Sequence, residues 1–165
     1  MSKKKKLQKE ILNLKNKAQT EKKANKKLLI KLKKMKGASL DQKFHSLHKK
    51  TFQDINCIDC ANCCKTTSPV FTIKDVNRIS KYLKIKSNSF YDKFLKLDNE
   101  LDTVLQKVPC KFLNIDNKCS IYDVRPKACT EYPHTNRKKI FQILSITMKN
   151  IEICPAVSRM IEKMK

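Results

Sequence analysis

Four cysteines within eight residues, Cys57-Ile58-Asp59-Cys60-Ala61-Asn62-Cys63-Cys64, constrain this chain more than any other stretch. Gaps of two residues let successive sulfurs curl round one ion or one cluster, as in zinc knuckles and ferredoxin-type iron–sulfur loops. Adjacent side chains diverge in helices and strands alike, so Cys63 and Cys64 are expected to serve different atoms. Cys110, Cys119, Cys129 and Cys154 bring the total to eight, enough for two four-sulfur sites. The plain alternative at any one of them is a small buried hydrophobe, the usual role of unliganded cysteine. The lysine-rich opening lacks the apolar core of a secretory signal, and the expected location is cytoplasmic. Thiols stay reduced there, so metal is expected before disulfides. No stretch reaches the roughly 18 apolar residues that a membrane span requires.

The formal net charge of +23 is lopsided, because residues 1–36 hold 15 lysines against Glu10 and Glu21. Through that segment Leu7, Ile11, Leu14, Ala18, Glu21, Asn25, Leu28, Leu32 and Met35 recur at steps of four and three, which is a heptad seam. The spacing predicts one long lysine-rich helix over residues 3–36, ended by Gly37 as a left-handed cap. Residues 1–38 are thus expected to form a basic amphipathic arm. It either pairs as a coiled coil, giving a weak homo-oligomer through residues 7–35, or docks on the rest of the chain. A polybasic arm also suits nucleic acid or an anionic surface, although only Arg78, Arg125, Arg137 and Arg159 are arginines, and base recognition favours arginine. A merely solvated extension is the alternative.

Residues 39–165 are expected to form a small cysteine- and metal-stapled domain, α+β but mainly helical. Ser39 with Gln42 and Thr72 with Asp75 read as capping boxes, and Ser87 as a further cap. Leu40, Phe44 and Leu47 form one inward face, and Ile73, Val76, Ile79 and Leu83 another. His45 and His48, three apart on the first of these helices, are more often unliganded than metal-bound at that spacing. Val104–Leu113 and Lys118–Tyr122 suggest a hairpin round Asp116-Asn117. Pro126 is expected to open a short helix carrying Cys129, Lys139–Met148 to be a strand, and Cys154-Pro155 to lead into a last amphipathic helix.

The sequence Cys57-x2-Cys60-x2-Cys63-Cys64, then Pro109-Cys110-x-Phe112-Leu113, then Cys119-Ser120-Ile121-Tyr122-x2-Arg125-Pro126-x2-Cys129-x2-Tyr132-Pro133, resembles the CxxCxxCC cysteine-cluster family, also called YkgJ-type. The likeness covers residues 57–133 and extends to Cys154; Ala61 departs from it, standing where the family often has glycine. The resemblance implies a zinc- or iron-chelating module, found alone or, in some relatives, attached to a flagellin lysine methylase. It implies no settled reaction. By local spacing, Cys57, Cys60 and Cys63 completed by a remote Cys154-Pro155 match a ferredoxin-type [4Fe–4S] pattern. Cys64, Cys110, Cys119 and Cys129 then remain for a second cluster or Zn²⁺. Thiolates round such a centre leave net negative charge. Arg125 and Lys127 are candidates to offset it and Tyr122 and Tyr132, with Phe112, to screen it, the alternatives being ordinary fold contacts.

No Ser/His/Asp order, paired-carboxylate motif or glycine-rich phosphate loop occurs, and a single glycine excludes the dinucleotide fingerprint and the P-loop. The only base near a downstream thiol is His134, five residues past Cys129, and no self-contained catalytic site is expected. The expected function is a metal-binding accessory or electron-transfer module with one or two iron–sulfur or Zn²⁺ sites, acting with a protein partner that the sequence does not identify. A structural zinc module with a polybasic arm is the alternative.

Overall fold

The computed structural model describes residues 3–165, so Met1 and Ser2 of the expected arm lie outside the described residues. The helices are α1 (Lys3–Thr20), α2 (Lys22–Lys33), α3 (Gly37–Phe52), α4 (Cys57–Cys60), α5 (Asn62–Thr66), α6 (Ile73–Tyr82), α7 (Ser87–Phe94), α8 (Lys127–Glu131), α9 (Leu144–Lys149) and α10 (Pro155–Glu162). Strands β1 (Leu95–Leu97) and β2 (Thr103–Leu105) make the one small sheet among the described residues, so the fold is α+β and mainly helical, as expected. The chain divides into two compact units, Met1–Asn62 with Pro133–Lys165, and Cys63–Tyr132. Among the described residues no single helix is long and apolar enough to cross a membrane.

In the first unit the heptad seam is used internally. Leu7, Leu14, Ala18, Asn25, Leu28 and Leu32 are buried, while Ile11, Glu21 and Met35 are half-buried. Helix α1 packs on α10 and on the 3₁₀ turn Asn150–Glu152, and α2 packs on α9. The expected single helix is two, broken at Glu21, where the backbone leaves the helical well at φ −92° and ψ 7°. This is the acidic residue of the seam, and its carboxylate pairs with Lys165 and Lys17. Opposite α1, Arg159 holds Glu10 with a two-toothed grip at 2.6 to 3.1 Å. Such a paired fork is directional as well as attractive, and sets the register of α1 on α10.

Gly37 does not terminate α2 as a left-handed cap; it begins α3, and no glycine has a positive φ. A Cβ there would meet the Phe141 ring at 3.5 Å, an ordinary van der Waals contact, so neither space nor backbone conformation requires glycine at this position. Helix α3 therefore starts ahead of the expected Ser39 box, with Lys36 at its N-cap and no side-chain cap. Its polar stripe fastens the returning chain: Asp41 accepts the N–H groups of Lys139 and Ile140, His45 bonds the Arg137 carbonyl, and His48 the Thr135 hydroxyl. Both histidines thus fasten α3 to the returning chain. Residues 139–148 are not a strand but a 3₁₀ turn, Ile140–Ile143, running into α9. The buried residues Ile140, Leu144, Thr147 and Ile151 follow the four-and-three spacing of a helical face, which short-range alternation had masked.

The second unit is built round Phe71, Ile79, Phe90, Leu95, Leu105, Phe112 and Ile121. Helix α6 opens with the expected reciprocal Thr72–Asp75 box. Ser87 lies inside α7, with Lys86 at the N-cap, and its hydroxyl donates to Asn77 instead. The sheet pairs Leu95 with Leu105 and Leu97 with Thr103, so β2 partners the preceding segment and not the following one. The expected hairpin shrinks to one bridge, Leu113 to Cys119, about a turn in which Asn117 takes φ 68°. Pro109, which has no N–H to donate, interrupts what would have been its first strand.

Candidate metal centre

All eight cysteines stand as thiols, and they divide between the units. Cys57, Cys60 and Cys154 belong to the first. Asn56 caps α4 by accepting the Ile58 N–H, and one turn later Ala61 reverses the chain in the left-handed region, φ 48°, its N–H bonded to the Cys57 carbonyl at 2.8 Å. That conformation crowds an L side chain by about 1–2 kcal/mol. Asn62 then donates to the Ile153 carbonyl at 2.7 Å, tying the cysteine loop to the residue before Cys154. Cys154 is the N-cap of α10, with Pro155 as the first helical residue, as expected. Burial pushes its thiol up to about 12, against the N–H groups of Val157 and Ala156 that are aimed at the sulfur, and charge on Cys60 or Cys57 would push it further.

Cys63, Cys64, Cys110, Cys119 and Cys129 belong to the second unit. The Cys63 thiol donates to Cys64, which is the main reason that Cys64 is lowered to about 7, with burial opposing and Lys65 assisting. Divergence of the two neighbours was expected; in the short α5 they instead approach within hydrogen-bond reach. The Cys110 N–H is bonded to the Cys64 carbonyl at 2.8 Å, which splices the second cysteine region onto the first. Burial raises Cys110 to about 11 and Cys129 to about 12, and it raises Cys119 as well. Charge on Cys64 adds to all three shifts, while the N–H groups of Phe112 and Leu113 oppose it at Cys110 and that of Ile121 at Cys119. Cys64, Cys110, Cys119 and Cys129 therefore lie in one another's electrostatic field.

The flanking residues have distinct roles. Arg125 donates to the Tyr122 carbonyl at 2.6 Å and stacks on the Tyr122 ring at 3.8 Å, and its charge also favours the thiolates of Cys119 and Cys129. The bond to the Tyr122 carbonyl is the ordinary fold contact expected as the alternative for it. The Lys127 ammonium instead pairs with Glu131 at the surface, 3.5 Å away. Tyr122 is 44 % exposed, too open to exclude water by itself, and Tyr132 is half-buried. His134 and Cys129 fall in different units.

One contributor was not foreseen. Asp75 is buried, and besides capping α6 it accepts the Lys127 N–H at 3.0 Å and the Arg78 guanidinium at 2.6 Å. Arg78 in turn donates to the Arg125 carbonyl at 2.9 Å. The pair thereby pins residues 125–127, from which α8 and Cys129 start. Burial raises the Asp75 carboxyl, but the bonds from Thr72, Arg78 and Lys127 together outweigh it and leave its pKa lowered. Asp75 and Arg78 sit three apart on one helix face, a visible ion-pair signal, but their partner segment is about fifty residues away in the chain.

Among the described residues no three His, Cys, Asp or Glu side chains already stand as a ready-made cage for an ion. Coordination by either set therefore requires its side chains to close in. The donor chemistry nevertheless fits: soft sulfur ligands suit zinc and iron–sulfur clusters, and backbone N–H groups aimed at sulfur offset thiolate charge. Buried thiols held high in pKa lose their protons to a metal, so binding is coupled to proton release.

No solved structure matches the chain. A protein of Methanocaldococcus jannaschii, named uncharacterized protein MJ0661, is 34 % identical over 83 residues, covering 48 % of this chain and 44 % of that protein. The chain thus spans less than half the length of that relative. The sequence profile of one family matches residues 56–155, more than half of the chain and a range that contains all eight cysteines. By that match the chain belongs to the CxxCxxCC family, described as a "putative zinc- or iron-chelating domain".

Proposed function

We propose that this protein is a metal-holding accessory or electron-transfer module whose thiolates carry an iron–sulfur cluster or Zn²⁺. The observation that supports this most is the mutual electrostatic field of Cys64, Cys110, Cys119 and Cys129, with N–H groups aimed at Cys110 and Cys119. These four would hold one centre. Cys57, Cys60 and Cys154 supply sulfurs for a second, and Cys63 is the eighth sulfur. A bound cluster supplies one-electron transfer, whereas zinc supplies a cross-link that stabilises the fold. Arg125 and the N–H donors offset the negative charge of four thiolates, and the Asp75–Arg78 pair positions the Cys129 helix.

The test is metal analysis of protein purified without oxygen. Iron with stoichiometric acid-labile sulfide selects the electron-transfer reading. Zinc without sulfide selects the structural interaction module, and protein that folds with neither overturns both.

A further inference from the structure

We propose that the outer face of α1 and α2 is a sequence-independent binding surface for the phosphate backbone of nucleic acid. This goes beyond the metal reading and stands on separate observations. Of the fifteen lysines in residues 3–36, fourteen are exposed. The two carboxylates of the same segment are turned inward and committed, Glu10 to Arg159 and Glu21 to Lys165 and Lys17. The helical pairing thus sorts charge: acids are consumed in the packed face and lysines are left on the other.

The helices contain 18 and 12 residues. At a rise of 1.5 Å per residue they extend about 27 and 18 Å. Duplex DNA carries one negative charge per about 1.7 Å of axis, so each helix faces many phosphates at once. Lysine acts there as a point charge without the planar fork that reads bases. The four arginines, whose planar forks suit base recognition best, are each engaged by other groups: Arg78 by Asp75, Arg125 by the Tyr122 carbonyl, Arg137 by the Lys138 carbonyl, and Arg159 by Glu10. The surface is therefore built for affinity and not for sequence readout.

A lipid surface fits less well. An interfacial helix sinks its apolar face into the acyl boundary. Here that face, with Leu7, Leu14, Ala18, Leu28 and Leu32, is already buried within the first unit. Leu12 and Ile30 are the exposed large apolar residues left, one on each helix. A polyanion that needs no insertion is the better partner.

The experiment measures binding of the full-length, metal-loaded protein to a mixed-sequence DNA duplex, to a single-stranded RNA of equal length, and to vesicles containing phosphatidylserine, from 50 to 200 mM salt. Nucleic-acid binding is expected to weaken by about a thousandfold over that range, as for about six phosphate contacts. A variant with Lys15→Gln, Lys22→Gln, Lys23→Gln, Lys26→Gln and Lys27→Gln should lose at least about tenfold in affinity and flatten the salt slope by three or more. A control with Lys74→Gln, Lys81→Gln, Lys86→Gln, Lys96→Gln and Lys107→Gln carries the same net charge. It should change affinity by less than about threefold, and both variants should keep their metal content and helicity. Equal losses in the two variants would reduce the effect to net charge and overturn the proposal. So would salt-insensitive or absent nucleic-acid binding, or vesicle binding that exceeds duplex binding and disappears in the first variant.

Discussion

Cys60 and Cys154 of the first unit are each 8 % exposed, within a set of packed helices whose core includes Leu14, Leu32, Phe44, Met160 and Ile161. In the second unit every cysteine is half-buried, and the sulfurs sit on turns and very short helices round a core of seven residues. The first unit sets its short cysteine helix, with Cys57 exposed, against packed helices that include α1 and α3; the second has only shorter helices, α6 and α7 the longest, and a smaller core round its sulfurs. Scaffolds below roughly 70–80 residues rarely draw more than a few kcal/mol from an apolar core alone. The second unit, residues 63–132, falls at that limit, so its stability should depend more steeply on metal.

Removal of metal tests that difference most severely. Structural zinc contributes about 10–16 kcal/mol in zinc-finger peptides, comparable to the whole stability of an ordinary domain. Chelated, fully reduced protein should lose hydrogen-exchange protection throughout residues 63–132 while α1, α3 and α10 keep theirs. Equal loss in both units would erase the contrast, and an unchanged cooperative transition would show that metal does not decide folding at all.

Single substitutions sharpen the comparison by asking whether the thiols act as two sets. Cys64→Ser and Cys119→Ser should lose the same portion of the bound metal, and Cys60→Ser and Cys154→Ser the other portion. Metal content measured per folded protein should therefore sort the variants into two classes. A variant of one class that removes the other portion would break the partition.

A smaller effect is expected at the Asp75 clamp. Asp75→Ala removes charged hydrogen bonds worth about 3 kcal/mol together, allowing for the exposure of Arg78, and should destabilise the second unit while sparing the first. Because the folded pKa of Asp75 is lowered, its contribution is fully present above the ordinary carboxylate value and is lost as pH falls through the folded one. Acid unfolding of residues 63–132 should accordingly begin below about pH 4 and be shallower in the variant. An acid transition of the same steepness in both proteins would remove Asp75 from that role.

The smallest change belongs to the first unit. Ala61 holds a left-handed φ of 48°. Ala61→Gly relieves that strain at the expense of backbone entropy and a buried methyl group, a net gain of about 0.5 kcal/mol. Thermal denaturation of the metal-loaded protein should shift upward by a degree or so, about the amount such a gain implies. A downward shift would mean that the methyl group matters more than the turn.

Much of the fold was legible where the signal was local. The Thr72–Asp75 box, the entry into α10 at Cys154-Pro155, the turn at Asp116-Asn117 and the inward face of α3 depend on residues within one or two turns of each other; on α6 the expected face is only partly inward, since Ile79 is buried but Ile73 is 80 % exposed. Residues 139–148 were misread because a few branched apolar residues satisfy a short alternation and a helical stripe alike, and only packing on α3 and α2 distinguishes them. The hairpin failed for a related reason: β2 had two possible neighbours in the chain, and the paired one lies on the other side of it.

The chemistry was determined by the residues themselves, because ligand type and a two-residue gap are covalent facts that hold in any conformation: eight sulfurs, a metal-binding spacing, a lysine-rich arm with an apolar seam. What that seam packs against, which way Glu10 and Glu21 turn, and that Cys63 falls in the second unit while Cys57, Cys60 and Cys154 share the first were decided by tertiary structure alone. Those outcomes depend on partners about fifty to one hundred and fifty residues away, as Asp75 with Lys127 and Glu10 with Arg159 show. Burial and electrostatic field arise only when such segments meet.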